Sequence, residues 1–296
     1  MEQLSDSERD INATAIIRTA HRRPEIEEYV KSLHARPKHA GRVAQGEIEL
    51  VSDFEAVLTH QEELYKRALT TAMSKGAEAP NKVDLRPQDL GICYNDPFYY
   101  IARDPVLFPN AKDLAHPIKG SYLYICFAGS LHGQRSSHVM LMTEEGKFVL
   151  TKIFRYQQAR WVLESTGTVT QPNETQASAL DRLMKQKQGR ELLTSPKLIG
   201  AFSADRGCIA DTVDHFALQV GPQLHEPTDP IYKMTVELTM TGLLTALARG
   251  SWKDPQDGRT YFVNDDYLSA SLLYGVLRGV FPQEAFVRSI AAARLP

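Results

Sequence analysis

The stretch CFAGSLHGQRSSHVMLM, Cys126 to Met142, concentrates versatile side chains between two apolar runs. Gly129 and Gly133 let a backbone approach a ligand closely, and Ser130 offers a hydroxyl. His132 and His138 supply imidazoles that titrate near neutrality, and Arg135 supplies a planar donor fork for an anion or carbonyl. His138 opens an apolar strand, HVMLM, which would fix its ring more firmly than a loop would. That makes His138 the candidate general base, His132 a second acid/base or substrate contact, and Arg135 and Ser130 substrate contacts. Cys93, in ICYND just ahead of a turn, is the candidate nucleophile if a histidine takes its proton. Tyr94 and Tyr99 belong to an aromatic-rich segment, Tyr94 to Phe108, that would line the opposite wall of a pocket. The ordinary alternative is a solvated hairpin connection with the aromatics in the core. The glycines follow neither GxxxxGK[ST] nor GxGxxG order, so they define no phosphate cradle.

SSHVMLMTEEGKFVLTKIF, Ser136 to Phe154, resembles the histidine strand and following strand of papain-like hydrolases. That resemblance implies a thiol–imidazole pair.

A second constellation is Cys208, Asp211 and His215. On a helix over 209–220 their spacings of three and four would put them on one side. One helix offering Cys, Asp and His is no recognised zinc signature, and no bound metal is expected there. No CxxC or CxxCH occurs among Cys93, Cys126 and Cys208. The cofactor is left unassigned. Asp254, Asp257, Asp265 and Asp266 lack calcium-loop order; Asp265 or Asp266 should cap the helix that follows.

These residues need a scaffold, and the period of the sequence describes one. Ser5 with Glu8 and Ser52 with Glu55 fit capping boxes; Pro24 permits a helical start. Residues 1–80 form a possible helical amino-terminal subregion, its helices separated by a connection over 31–42 that Pro37 and Gly41 punctuate. From Leu90 to Gly200 the period shortens. Asn95-Asp96-Pro97, Asp104-Pro105 and Pro109-Asn110 read as turns, Tyr122 to Phe127 as a buried strand, and His138 to Met142 with Lys147 to Phe154 as a hairpin. Arg160 to Ser165 extends the sheet, which should have three to five strands. Helices are expected again over 174–187, 209–220, 232–248 and 266–278, with Pro282 starting the last. The fold class is α+β, a central mainly antiparallel sheet with amino- and carboxy-terminal helices, in a single domain over 1–296.

Composition excludes several classes. The 296 residues are 43% hydrophobic and 24% charged, with 34 basic against 36 acidic side chains and three cysteines. No basic excess points to nucleic acid, although Arg18 to Arg42 is locally basic and could meet phosphate or an acidic partner. No apolar run is long enough to span a membrane, and no signal peptide is evident. A cytoplasmic location is the default, with export lacking a classical signal left open. Three readings stand: an enzyme acting on a small molecule or peptide by acyl-transfer or hydrolytic chemistry, a protein-interaction or regulatory module, and a metal- or haem-dependent enzyme.

Overall fold

A computed structural model describes residues 5–33, 36, 41–45, 47–113, 115–203, 209–229, 232, 234–263 and 265–292. The fold is α+β, and the chain divides into two compact units, Met1–His132 with Asp205–Asp211, and Gly133–Ala204 with Thr212–Pro296.

In unit 1 the order is α1 (Asp6–His21), α2 (Arg23–Ser32), β1 (Glu49–Leu50), α3 (Phe54–Ser74), β2 (Gly91–Asn95), β3 (Tyr99–Phe108) and β4 (Ile118–Phe127). The Ser5–Glu8 capping box forms as expected, and Pro24 lies in the first turn of α2. At α3 the cap is Asp53, whose carboxylate accepts from the Ala56 amide at 2.9 Å, in place of Ser52. A carboxylate at the positive helix end outcompetes the neighbouring hydroxyl. The expected Asp104-Pro105 turn is also corrected: both residues lie inside β3. The Pro105 carbonyl accepts from Val51, and Asp104 turns inward to a buried ion pair with Arg36 (2.7 Å) and to the Tyr29 hydroxyl (2.8 Å). Arg36 thus leaves the basic surface that its neighbours suggested, and its guanidinium lies 4.1 Å from the Tyr124 ring centre. Tyr122 to Phe127 falls within β4, which pairs with β3 in a four-stranded antiparallel sheet.

Unit 2 carries a ten-stranded sheet. Its strands and helices are β5 (Ser136–Thr143), β6 (Phe148–Arg155), β7 (Arg160–Glu164), β8 (Thr166–Val169), α4 (Gln176–Leu183), β9 (Arg190–Leu192), β10 (Lys197–Phe202), β11 (Val213–Gln223), β12 (Thr235–Leu238), α5 (Met240–Arg249), β13 (Ser251–Lys253), β14 (Thr260–Phe262), α6 (Asp266–Leu277) and α7 (Gln283–Ala292). The β5–β6 hairpin and the 144–146 turn match expectation. The sheet is larger than the three to five strands read from sequence. It is mainly antiparallel, with β5–β11 and β7–β14 pairing in parallel.

Two helix expectations fail here. Residues 213–223 form the strand β11, and residues 235–238 form β12, with a helix starting only at Met240. In β11 the period is two: Phe216, Leu218 and Val220 join Val139, Leu141 and Val149 under Leu180, Leu183 and Met184. The opposite face, with Met140, Phe148, Leu150 and Ala217, packs on Leu243, Leu268, Leu272 and Phe281. Thr239 caps α5 through the Gly242 amide, which explains the late start. Helix α4 continues into a π turn, Met184–Gln188, closed by left-handed Gly189. Among the described residues no helix is long and apolar enough to cross a membrane.

Candidate functional site

In unit 2, His138 on β5 is in register with His215 on the parallel neighbour β11 and with Gly167 on β8. Parallel register puts both imidazoles on one sheet face. Tyr267, Ser271 and Tyr274, spaced four and three apart on α6, come over that face as one helical stripe. The Ser271 hydroxyl lies 3.0 Å from His138 Nδ1 and 2.5 Å from His215 Nδ1. The Tyr267 ring stacks on His138, with centres 5.4 Å apart, and Tyr274 meets His215 edge-on at 5.9 Å. Gly200 on β10 makes this possible, since a Cβ there would come within 2.5 Å of the Tyr274 ring.

His138 Nε2 lies 2.5 Å from Ser165 Oγ, and that oxygen donates to Asp265 Oδ2 at 3.1 Å. Asp265 also caps α6 through the Leu268 amide, the role expected from sequence. Burial pulls the Asp265 carboxyl upward, but His138, the Leu268 amide and the Ser165 hydroxyl outweigh it and hold it below the ordinary carboxylate value. Burial, with His138 alongside, drives His215 down to about 4. Its Nε2 is buried and has no hydrogen-bond partner among the described residues. Ser, His and Asp meet here, yet not in relay order. Asp265 sits on the Nε2 side with Ser165, and a hydroxyl fills Nδ1 where an orienting carboxylate would stand. Ser165 is 5% exposed.

Alongside this network lies a charged array. Glu164, at the end of β7, forms a two-pronged ion pair with Arg155 of β6, Nε to Oε2 being 2.9 Å. Burial pushes the Glu164 carboxyl above its ordinary value, and Arg155 offsets only part of that rise. Lys187, in the π turn, donates to the Gly167 carbonyl at 3.1 Å and to the Tyr232 hydroxyl at 3.3 Å. Its ammonium lies 4.5 Å from the Tyr232 ring centre. Among the described residues no carboxylate pairs with it. An ammonium has three donors, and the described residues use two of them.

The residues singled out by sequence distribute over both units. Cys93 is exposed on β2, and its thiol faces only the Gly91 carbonyl, 3.7 Å away. Tyr94 bonds Asp96, and Tyr99 begins β3; both are exposed. Ser130 and His132 lie in the 3-10 turn Ala128–His132, the first half-buried and the second exposed. All five belong to unit 1, whereas Arg135 and His138 belong to unit 2. Arg135 pairs with the buried Asp214 at 2.7 Å, and Gln176 donates to the same oxygen at 2.6 Å. His138 is 7% exposed, with both ring nitrogens engaged by hydroxyls. Cys208 lies outside the described residues. The helix meant to align it with His215 is replaced by β11, and Asp211 accepts from the Phe127 amide. Among the described residues no three Asp, Glu, His or Cys side chains converge to hold a metal ion. Sequence reasoning missed Ser165, Ser271, Arg155, Lys187 and Tyr232. The period-two pattern of 213–220 was the available signal for pairing His215 with His138.

No protein-family model matches the chain. No curated protein matches its sequence. Among solved structures, the chain is similar to the crystal structure of an ADP compounds hydrolase, with a TM-score of 0.50 and 12% identity, covering 67% of this chain and 94% of that one. At that identity the likeness is one of fold. The chain therefore shares an α+β fold with that protein.

Proposed function

We propose that unit 2 binds a phosphate-bearing small molecule of the ADP-compound type, with Lys187 as the principal anion contact. The observation that carries this reading is the half-buried ammonium held, among the described residues, by neutral oxygens alone, Gly167 O and Tyr232 Oη. A cation so placed gains a full charge-assisted hydrogen bond when a phosphate oxygen arrives, with no resident ion pair to break. Arg155 is the second contact, exchanging part of its Glu164 bond for a neighbouring phosphate oxygen. The fold likeness to an ADP compounds hydrolase supports the ligand class.

Hydrolysis is a second reading, favoured by the raised Glu164 carboxyl. A carboxylate of raised basicity is a better acceptor for the proton of an attacking water. The described residues do not fit a carboxylate-bound metal: Glu164 is tied to Arg155, Glu174 to Arg182, and Asp265 to its cap and Ser165. No step is routed through one. Acyl transfer with Cys93 as nucleophile is the rival enzyme reading, supported by the exposure of Cys93; His132 belongs to the same unit, and the expected base His138 to the other. An interaction module is supported by the exposed Tyr94, Phe98 and Tyr99.

The test is a binding and turnover panel on the full chain with ADP, adenosine and an ester substrate. Saturable ADP binding, with phosphate release if hydrolysis follows, is expected. Ester turnover lost in Cys93→Ala, together with no ADP binding, would overturn the reading in favour of acyl transfer.

A further inference from the structure

Two arginines of the basic stretch that begins at Arg18 line a cavity of unit 1. Unit 1 contains a cavity of about 370 Å³ where the last turn of α1 faces the short turns Pro80–Lys82 and Arg86–Gln88. Arg18, Arg22, Lys82 and Arg86 line it against Asp84 and Asp89, over a floor that includes the buried Tyr65. Four cations face two carboxylates, and the carboxylates are already engaged. Asp84 holds Arg86 through two bonds of 2.8 and 2.9 Å, and Asp89 accepts from the Tyr65 hydroxyl.

Lys82 is paired with Glu78 at 2.7 Å, which leaves the two arginines. Arg22 gives one NH2 bond to the Leu90 carbonyl at 2.9 Å, but its buried Nε has no hydrogen-bond partner; Asp89 is 3.9 Å away. A buried donor left unpaired costs free energy until something accepts from it. Arg18 has no hydrogen bond or ion pair among the described residues, and its side chain is exposed at the rim. Arg18, in the last turn of α1, and Arg22, the residue that caps its C-terminus, thus line one concavity with guanidinium donors not fully used by the described residues.

We propose that this cavity is a binding site for a small organic phosphate monoester, its phosphate held by Arg18 and Arg22. Guanidinium donors match phosphate oxygens two at a time, which favours phosphate over a monovalent anion such as chloride. The volume exceeds what phosphate needs and falls in the range of small-molecule sites, which leaves space for the esterified group beside Val83 and Leu85.

Calorimetric titration tests this with inorganic phosphate and phenyl phosphate as probes, on the full chain carrying Lys187→Ala so that the unit 2 contribution is weakened. Phenyl phosphate should bind one-to-one and more tightly than inorganic phosphate, and binding should weaken as salt rises. Arg18→Ala should weaken it about tenfold or more, the loss of one charge-assisted contact, while Arg18→Lys, which keeps the charge but not the two-pronged fork, should fall between the two. Arg18 is exposed, so its truncation should leave the fold intact, as circular dichroism would verify. No binding up to roughly 10 mM, or equal binding by Arg18→Ala, would overturn the proposal.

Discussion

Acid should loosen unit 2 through one residue, His215. Its imidazole has zero exposure, and burial with the adjacent His138 drives it down to about 4 from the ordinary 6.5. A histidine lowered in this way binds its proton more readily when the chain is unfolded. It therefore penalises folding progressively as pH falls from about 6.5 towards about 4. At 1.36 kcal/mol per unit of displacement, the full swing is about 3 kcal/mol. His215→Phe keeps an aromatic body against Tyr267 and Tyr274 but cannot titrate. The assay is urea unfolding of both proteins followed by tryptophan fluorescence. Trp161 and Trp252 are the only tryptophans, and both lie in unit 2, so the signal reports that unit alone. Other groups titrate in both proteins and largely cancel in the difference. The stability of His215→Phe relative to wild type should rise by about 3 kcal/mol between pH 7 and pH 4. A difference that stays flat over this window would refute the assignment of a neutral, protonation-resistant His215.

Further outcomes follow from the buried pairs and the tight packing. Arg36→Ala strands the buried Asp104 carboxylate and should cost about 3–5 kcal/mol in chemical denaturation; a loss below about 1 kcal/mol would contradict the burial of the pair. Asp265→Ala removes the α6 cap and the acceptor for Ser165, and should lower stability by about 1–2 kcal/mol in the tryptophan-monitored transition. Gly200→Ala should cost about 1–3 kcal/mol, because its Cβ must displace the Tyr274 ring; an unchanged urea midpoint would show that the ring moves freely.

Local signals in the sequence carried much of the architecture. Ser5 with Glu8, Asp265 ahead of α6 and Pro282 ahead of α7 marked helix starts because caps depend on neighbours only. The hairpin around Glu144 to Gly146 was likewise legible from period and turn. Residues 213–223 misled because Val213 to Val220 satisfies both a helical reading and a buried strand; only sheet pairing with β5 decides between them. Pro105 read as a turn, yet its missing N–H falls at a position of β3 where the strand needs only its carbonyl.

The candidate site was less legible. His138 was visible as a strand-opening imidazole, but Ser165, Ser271 and Asp265 approach it across separations of 27, 133 and 127 residues. No local pattern encodes such meetings. Lys187 looked like one of several lysines on a polar helix. Its isolation from carboxylates arises from the π turn and from Gly167 and Tyr232, which reach it from distant parts of the chain.

The phosphate-binding account of unit 2 is tested most directly by titrating ADP into Arg18→Ala and into Arg18→Ala with Lys187→Ala. The first background weakens the unit 1 cavity equally in both proteins, so their difference isolates the lysine. The account predicts one-to-one binding in the single variant, weakened about tenfold or more in the double variant by loss of the charge-assisted contact. Equal affinity in the two proteins, or no ADP binding in either, would contradict it.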